Sequence, residues 1–161
     1  ENRSRWDLLD VVRMIRALRP EGINWPFIEN SKTGEKFASN KLELLTKENG
    51  ISHENAHDAL SDVDGLIDVA RLLKEKQPQI FEYLFKMRSK NEVQKMINLE
   101  NPKPFLYTSG RFKVEFEKTT AAYPIAPAKN KNVIVWDLRF SPEDFLDWSA
   151  EQILENITAD F

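Results

Sequence analysis

The first apolar stretch of the chain has the spacing of an amphipathic helix. Its apolar side chains recur at helical intervals, at Leu8, Val11, Val12, Ile15 and Leu18. This period places them on one helical face. Ser4 followed by Asp7 resembles the capping box that begins many helices, and Pro20 and Gly22 interrupt the pattern. The sequence therefore predicts a first helix that stops at the segment Arg19 to Gly22.

The pattern then becomes irregular before it turns helical again. From Ile23 to Ser39 the apolar residues are scattered among two prolines and a Lys-Thr-Gly turn, which predicts a long loop. A short helix is predicted from Lys41 to Asn49. Its inward positions are Leu42 and Leu45. Gly50 stands where a left-handed C-terminal cap is wanted, and Ile51 can make the apolar contact that accompanies such a cap.

A third, longer helix is predicted to begin near Asn55, whose side chain can cap the free amides. Its apolar positions are Leu60, Val63, Ile67, Ala70 and Leu73. Gln77 and the proline after it end this helix. Because proline is well tolerated in a first turn, a further helix is predicted from Pro78 towards Arg88, and another from Asn91 to Ile97.

The character of the chain changes after the proline-rich segment that ends at Pro104. The segments that follow are short, aromatic and β-branched, as is typical of strands: Phe105 to Thr108, Phe112 to Phe116, Ala121 to Ile125 and Val133 to Leu138. They predict a small barrel or sheet. Short helices are predicted near the end, at Ser141 to Phe145 and at Ser149 to Ile157.

This order places a domain boundary near Gln77. Residues 1–77 carry almost no strand signal, and three helices with a long loop make a thin core for an independent domain. We therefore expect the missing sheet to lie in an upstream part of the protein. The chain begins with Glu1 and not with an initiator methionine or a secretory signal. It is therefore expected to begin inside a longer protein.

Composition excludes several classes of protein. Hydrophobic residues at 41% and charged residues at 30% fit a folded, water-soluble chain. The absence of cysteine excludes disulfides and thiolate metal sites and favours the cytoplasm. A run of about 18 apolar residues, long enough to cross a membrane, is also absent. The net charge of −3 gives no global reason to expect nucleic acid. The lysine-rich stretch Arg71 to Lys95 has a local positive excess, which a solvated helix face also explains.

The stretch NAHDALSDV raises the question of chemistry. His57 and Asp62 are five positions apart, so an ideal helix would turn them about 140° away from each other. They can share a ligand only if His57 stands in the loop or the cap turn before the helix. An imidazole with an ordinary pKa of about 6.5 can accept a proton from water near neutral pH. The plain alternative, a helix start with surface charge, fits these residues too.

A family resemblance favours the catalytic interpretation. His57 and Asp62 in NAHDALSDV resemble the third motif of the DEDD exonucleases, in the branch that has a histidine. Further stretches are similar to the bacterial exonuclease I family: SRWDLLDVVR, ALRPEGINWP, LTKENGI and KEKQPQIFEYLF. The match runs in register over most of residues 4–110. It then weakens, although YTSGRF and the strand-rich tail resemble the start of the family's SH3-like domain.

This resemblance implies a fold and an activity. Residues 1–77 would be the C-terminal helical part of an α/β, ribonuclease-H-like exonuclease domain, and residues 78–161 the start of an SH3-like β domain. The implied enzyme is a Mg²⁺-dependent 3′→5′ exonuclease of DNA repair that degrades single-stranded DNA to nucleoside 5′-monophosphates. Four carboxylates would hold two Mg²⁺ ions, which Mn²⁺ can replace. Asp62 would be the fourth carboxylate and a metal ligand, and His57 the general base.

The resemblance also implies partners for a monomeric enzyme. Single-stranded DNA would be held by phosphate attraction and base stacking. The candidates by residue type are Arg13, Tyr107, Arg111 and Lys113. Packing inside the barrel is the alternative for each aromatic ring, and it is preferred for Phe105 and Trp136. The acidic C-terminal tail of single-stranded DNA-binding protein would need cations beside an aromatic wall. The candidates for that site are Arg19, Tyr83 and Lys103, with three unrelated surface residues as the alternative.

The sequence departs from the family in one decisive respect. The Asp-x-Glu of the first motif does not occur anywhere in the 161 residues. One aspartate cannot hold two magnesium ions, so the chain alone is expected not to hydrolyse DNA. A rival interpretation is a non-catalytic module that binds DNA or a partner protein. A proofreading or RNA-trimming member of the superfamily is a second rival, which the strand-rich region argues against. No function is assigned to the loop from Phe27 to Ser39, which is longer than expected.

Overall fold

The computed structural model describes residues 5–52 and 59–158 of the protein. The helices are α1 (Leu8–Leu18), α2 (Leu42–Glu48), α3 (Ala59–Lys76), α4 (Pro78–Lys86), α5 (Lys90–Met96) and α6 (Ala150–Thr158). The strands are β1 (Phe27–Glu29), β2 (Lys36–Ala38), β3 (Phe105–Thr108), β4 (Thr119–Pro127) and β5 (Val133–Asp137). In the described ranges, no helix is long and apolar enough to cross a membrane.

Helix α1 confirms the prediction from the apolar period. Its side chains at Val11, Val12 and Ile15 are buried. The cap differs from the predicted capping box, whose Ser4 lies outside the described residues. Asp7 is the N-cap, and its carboxylate accepts a hydrogen bond from the backbone N–H of Leu9 at 3.0 Å. The helix thus begins directly after Asp7, the second residue of the predicted pair.

The predicted long loop from Ile23 to Ser39 is wrong in its middle. Strands β1 and β2 form an antiparallel hairpin in which Phe27 lies opposite Ala38. The turn between them is closed by a hydrogen bond from the Gly34 N–H to the Asn30 carbonyl at 2.8 Å. Each strand has only three residues, which is too short for an alternating pattern to be recognised in the sequence.

Helix α2 and its end confirm the prediction in detail. Leu45 is buried, and Gly50 has the left-handed φ of 66° that a C-terminal cap requires. The backbone N–H of Ile51 reaches the Thr46 carbonyl at 2.9 Å. The Ile51 side chain packs against the core, so this cap fixes the exit of the chain.

Helix α3 ends where it was predicted to end, before Gln77, and helices α4 and α5 lie in the predicted segments. The predicted start of α3 near Asn55 lies outside the described residues. Only the second half of the predicted apolar face of α3 is covered. Leu73 is buried and Ala70 packs against the core. Leu60 is 77% exposed and Ile67 is 42% exposed. The described helices therefore leave the N-terminal half of this face largely exposed.

The main core lies among the first four helices. Its buried members are Leu8, Val11, Val12, Ile15, Ile23, Leu45, Val69, Leu73, Phe81 and Leu84. Trp6 adds edge-to-face contacts with the rings of Phe81 and Phe85, at centroid distances of 5.3 and 5.1 Å. These contacts join α4 to the start of the chain and make α1 the central element of the core.

Strands β3, β4 and β5 form an antiparallel sheet in sequence order. This arrangement confirms three of the four predicted strands. The predicted strand from Phe112 to Phe116 is wrong, because the segment ends in a 3-10 turn at Val114–Phe116. Glu117 and Lys118 follow with φ values of 49° and 58°, a left-handed conformation that ends any strand. The chain therefore reverses there and enters β4.

The last predicted helices are present as a 3-10 turn at Pro142–Phe145 and as α6. Trp136 and Phe105 are both half-buried. The Trp136 indole N–H donates to the Phe140 carbonyl at 2.9 Å, and its ring meets Phe145 edge-on at 5.3 Å. These contacts agree with the packing role preferred for Trp136.

Candidate nucleic-acid interface and catalytic residues

Asp62 lies in the first turn of α3 and is half-buried. His57 falls outside the described residues, as does the expected cap at Asn55. Its apolar neighbours on the helix, Leu60 and Val63, are both exposed. The direction of Asp62 is therefore fixed by the helical backbone of α3 and not by apolar packing of these two neighbours.

The described residues do not by themselves make a metal centre. Within residues 5–52 and 59–158, no three histidine, cysteine, aspartate or glutamate side chains lie close enough together to hold an ion. Magnesium takes near-octahedral oxygen coordination, usually with one or two carboxylates and several waters. Asp62 can offer one such carboxylate. A two-ion site on this helix would need further carboxylates from outside the described ranges.

Arg13 lies between α1 and the loop that follows β3, residues 109–118. Its Nη1 atom lies 2.8 Å from a carboxylate oxygen of Asp10. Its two Nη atoms also lie 3.4 Å from the place where a Cβ on Gly110 would stand. The Nε–H is buried and has no acceptor among the described residues. The absence of a side chain at Gly110 therefore lets this guanidinium pack directly on the loop backbone.

The other candidates for strand binding lie on or beside the same loop, residues 109–118. The Tyr107 ring is half exposed and meets Phe112 edge-on at 5.8 Å. Arg111 directly follows Gly110 and is exposed. The Lys113 side chain is 81% exposed, with its Nζ atom 3.8 Å from a carboxylate oxygen of Glu115. The structure thus brings all four candidates to one region, with Arg13 joined to the others through Gly110.

Arg139 was not identified from the sequence, although it supports this loop. Its guanidinium lies over the rings of Phe112 and Phe116, at 5.2 and 4.3 Å from their centroids. It also forms an ion pair with Asp137. Burial raises the pKa of Asp137, but hydrogen bonds from Arg139 and Thr120 outweigh it, so that the net shift is downward. The hydrogen bond to Asp137 also raises the pKa of Arg139, so Arg139 stays charged beneath the aromatic residues of the loop.

The candidates for an acidic tail lie on three segments. Arg19 follows α1, and its side chain donates to the Leu18 carbonyl at 2.6 Å. Tyr83 lies on α4 with its ring half exposed and its hydroxyl 3.4 Å from the Met96 sulfur. Lys103 is exposed in the segment before β3. In the described ranges no hydrogen bond or ion pair joins these three to one another.

Arg16 is a buried cation of the described chain whose role was not predicted from the sequence. Its side chain is 3% exposed. It donates to the carbonyls of Ser39 and Pro26 at 2.7 and 3.1 Å, and its Nε lies 3.2 Å from the Glu117 carboxylate. Burial lowers the pKa of this guanidinium, whereas Glu117 opposes that shift. The sequence offered one indication that Arg16 is buried, namely its position one helical turn after Val12 on the apolar face of α1.

Comparisons with known proteins relate this chain to exonuclease I proteins. Residues 88–158 match the family model of the Exonuclease I SH3-like domain. Exodeoxyribonuclease I of Escherichia coli (strain K12) is 42% identical over 156 residues, which are 96% of this chain and 32% of that protein. The Haemophilus influenzae protein of the same name is 42% identical over 152 residues, 93% of this chain and 31% of that protein. The chain thus spans about a third of the length of these relatives.

Solved structures give the same result at the level of the fold. E. coli Exonuclease I in complex with a dA16 oligonucleotide matches with a TM-score of 0.85 and 43% identity, over 96% of this chain and 32% of that one. A structure of an ExoI/SSB-Ct complex matches with a TM-score of 0.86 and 41% identity, over 99% and 34%. The resemblance deduced from the sequence is confirmed over nearly the whole chain.

Proposed function

We propose that this chain, which matches about a third of bacterial exonuclease I in sequence and fold, is part of a Mg²⁺-dependent 3′→5′ exonuclease. The intact enzyme degrades single-stranded DNA and releases nucleoside 5′-monophosphates. The observation that carries the proposal is the identity of 42% over 96% of the chain to an exodeoxyribonuclease I. Below, the intact protein means this chain together with the upstream and downstream segments that its relatives possess.

Residues 1–77 are assigned to the C-terminal helical part of the nuclease domain, and residues 78–161 to the start of the SH3-like domain. The exposed apolar side chains of α3 support the first assignment. They are Leu60, Val63, Leu66 and Ile67. Apolar patches of this kind usually mark a contact surface. A sheet from the upstream segment would cover them and would complete the core that four helices leave thin.

Asp62 is assigned as a ligand of the catalytic metal ions and His57 as the general base. The position of Asp62 on α3 supports this assignment, because a helix presents a carboxylate in a better defined direction than a loop does. The remaining carboxylates would come from the upstream segment. Magnesium is the proposed cofactor, with manganese as a substitute, and it binds only when that segment is present.

Binding of single-stranded DNA is assigned to the surface formed by Arg13, Tyr107, Arg111 and Lys113, which we call the strand surface. Three cations and one half-exposed ring around a single loop can attract phosphates and stack a base. Neither interaction depends on base identity. This chemistry suits an enzyme that must hold single-stranded DNA of any sequence.

The first test compares the chain alone with the intact protein on a 5′-labelled oligonucleotide in Mg²⁺. We expect the intact protein to shorten the strand from its 3′ end and the 161-residue chain to leave it unchanged. Asp62→Asn in the intact protein should lower turnover by about a hundredfold or more, because metal binding loses a charged ligand. Gel electrophoresis of the labelled products measures both effects.

Asp64→Asn is the matched control, since it removes the same charge from the same helix. Two helical positions turn a side chain by about 200°, so Asp64 faces away from Asp62 and its loss should change turnover less than twofold. Degradation by the chain alone, or equal losses in the two variants, would contradict the assignment. If the protein is instead a non-catalytic binding module, calorimetry would detect no Asp62-dependent Mg²⁺ binding in the intact protein.

A second proposed function is docking of the acidic C-terminal tail of single-stranded DNA-binding protein. It is favoured by the match to the ExoI/SSB-Ct complex over 99% of the chain. Arg19 and Lys103 would attract the carboxylates of the tail, and the half-exposed ring of Tyr83 would meet its apolar end. Each of these side chains is accessible in the described structure.

Arg19→Ala should weaken binding of such a tail peptide by roughly tenfold, the loss expected for one charge-assisted hydrogen bond. Fluorescence anisotropy of a labelled peptide with the intact protein measures the affinity. Arg71→Ala is the control, because Arg71 is an exposed arginine on α3 that pairs with Asp68. Unchanged affinity in the Arg19 variant would remove this residue from the site.

A further inference from the structure

We propose that the ion pair between the buried Arg16 and the partly exposed Glu117 positions the loop 109–118 against α1, and thereby sets the geometry of the strand surface. Arg16 and Glu117 are then positioning residues for single-stranded DNA, although neither is assigned to contact it. This inference rests on the proposed function. It adds a pair of residues, 101 positions apart in the sequence, that decides how well the strand is held.

Arg16 is fixed by the first forty residues of the chain independently of the loop. Its Nη atoms donate to the Ser39 carbonyl at 2.7 Å and to the Pro26 carbonyl at 3.1 Å. These two carbonyls flank the β1–β2 hairpin. The guanidinium also lies over the Phe27 ring at 4.8 Å from its centroid. Because several neighbours determine its orientation, Arg16 is a rigid anchor for whatever binds its Nε–H.

Glu117 connects Arg16 to the rest of the loop. Its backbone N–H donates to the Val114 carbonyl at 2.8 Å. The next residue, Lys118, accepts from the Ser109 N–H at 3.0 Å and donates from its Nζ atom to the Gly110 carbonyl at 3.1 Å. A displacement of Glu117 would therefore move Gly110 as well.

Helix α1 contacts the loop at both of its ends. Arg13 packs against Gly110 near the start, and Arg16 pairs with Glu117 near the end. Residues three apart lie on the same side of a helix, about 4.5 Å apart along its axis. Arg111 and Lys113 lie between the two contacts in the sequence. The spacing of Arg13 from these two cations is thus set by the ion pair.

Neutralisation of Glu117 changes the affinity for single-stranded DNA in opposite directions for the two roles that Glu117 can have, positioning of the loop and simple electrostatic repulsion. The Glu117 side chain is 31% exposed and belongs to a loop that is proposed to hold an anionic strand. If Glu117 acted only as a nearby negative charge, its neutralisation would strengthen strand binding. If it positions the loop, the same substitution weakens binding, because the loop loses its charged contact with Arg16.

The experiment is Glu117→Gln in the intact protein, with a 5′-labelled oligothymidylate as the probe. We expect Kd, measured by anisotropy in Ca²⁺ to prevent degradation, to rise about threefold to tenfold. KM in Mg²⁺ should rise with it, whereas kcat should change less than twofold. Glu82→Gln is the matched control, because it loses the same charge and breaks the exposed pair with Lys74 at 3.1 Å. Its Kd should remain unchanged.

Two further variants make the result decisive. Glu117→Gly suits the φ of 49°, so it removes the carboxylate without straining the turn and should raise Kd as Glu117→Gln does. In an Arg16→Gln background, Glu117→Gln should have no additional effect on Kd. Unchanged or tighter binding in the Glu117 variants, or an undiminished effect in that background, would overturn the inference. If the unmodified intact protein fails to bind the strand, the proposed function itself is wrong.

Discussion

Replacing His57 by alanine in the intact protein is expected to lower kcat for single-stranded DNA by at least about a hundredfold. A general base contributes about two to four orders of magnitude to a proton transfer in the transition state. Affinity for single-stranded DNA should stay within twofold, because the strand surface lies on α1, on β3 and on the loop 109–118. Steady-state hydrolysis of a labelled oligonucleotide gives kcat, and anisotropy in Ca²⁺ gives the affinity.

His53→Ala is the matched control, since His53 and His57 are the two histidines of the chain. The control variant should retain kcat within about twofold. An exogenous base such as imidazole should restore part of the turnover of the His57 variant, and only of that variant. Equal turnover of the His57 variant and the unmodified protein would exclude the general-base assignment.

Replacing Arg16 by methionine is expected to destabilise the intact protein by about 3 kcal/mol, near the lower limit for breaking a buried ion pair by removing one partner, because Arg16 is buried whereas Glu117 is partly exposed. Methionine fills much of the same volume, so the loss is mainly electrostatic. The Ser39 and Pro26 carbonyls and the Glu117 carboxylate would lose their donor. Urea denaturation followed by tryptophan fluorescence measures this loss in the free energy of unfolding.

Arg71→Met is the control for this prediction. Arg71 is an arginine on α3 with 76% of its side chain exposed, and it pairs with Asp68 one turn earlier. Exposed pairs of this kind contribute less than about 1 kcal/mol. A comparable loss in the two variants would mean that water replaces Arg16 at the carbonyls, and the anchor described above would then not exist.

Much of the helical structure could be predicted because its causes are local. The apolar period identified α1, Pro78 identified the start of α4, and Gly50 with Ile51 identified the end of α2. Strands were harder to predict. The β1–β2 hairpin has too few residues for a pattern, and the turn before β4 uses a left-handed glutamate and lysine. A non-glycine residue in that conformation has little sequence signature.

Some residues of the proposed site could also be predicted from the sequence, whereas others were recognised only in the structure. NAHDALSDV identified His57 and Asp62 through a family resemblance, and residue type alone selected Arg13, Tyr107, Arg111 and Lys113. The sequence did not indicate that Arg13 contacts the loop that follows Tyr107. That contact exists because Gly110 has no side chain and α1 packs along the loop. Arg16 was missed because a single arginine on a helix is usually a solvated residue.

The sequence by itself determined most of the helices, the C-terminal cap of α2 and the residues that resemble a catalytic motif, since these depend on interactions between near neighbours in the chain. Only the tertiary structure decided that Arg16 meets Glu117 and that the strand surface gathers around one loop. Packing of α1 against both the hairpin and the loop buries Arg16. A buried cation requires several oxygen partners at once, and residues distant in the sequence supply them only after the chain has folded.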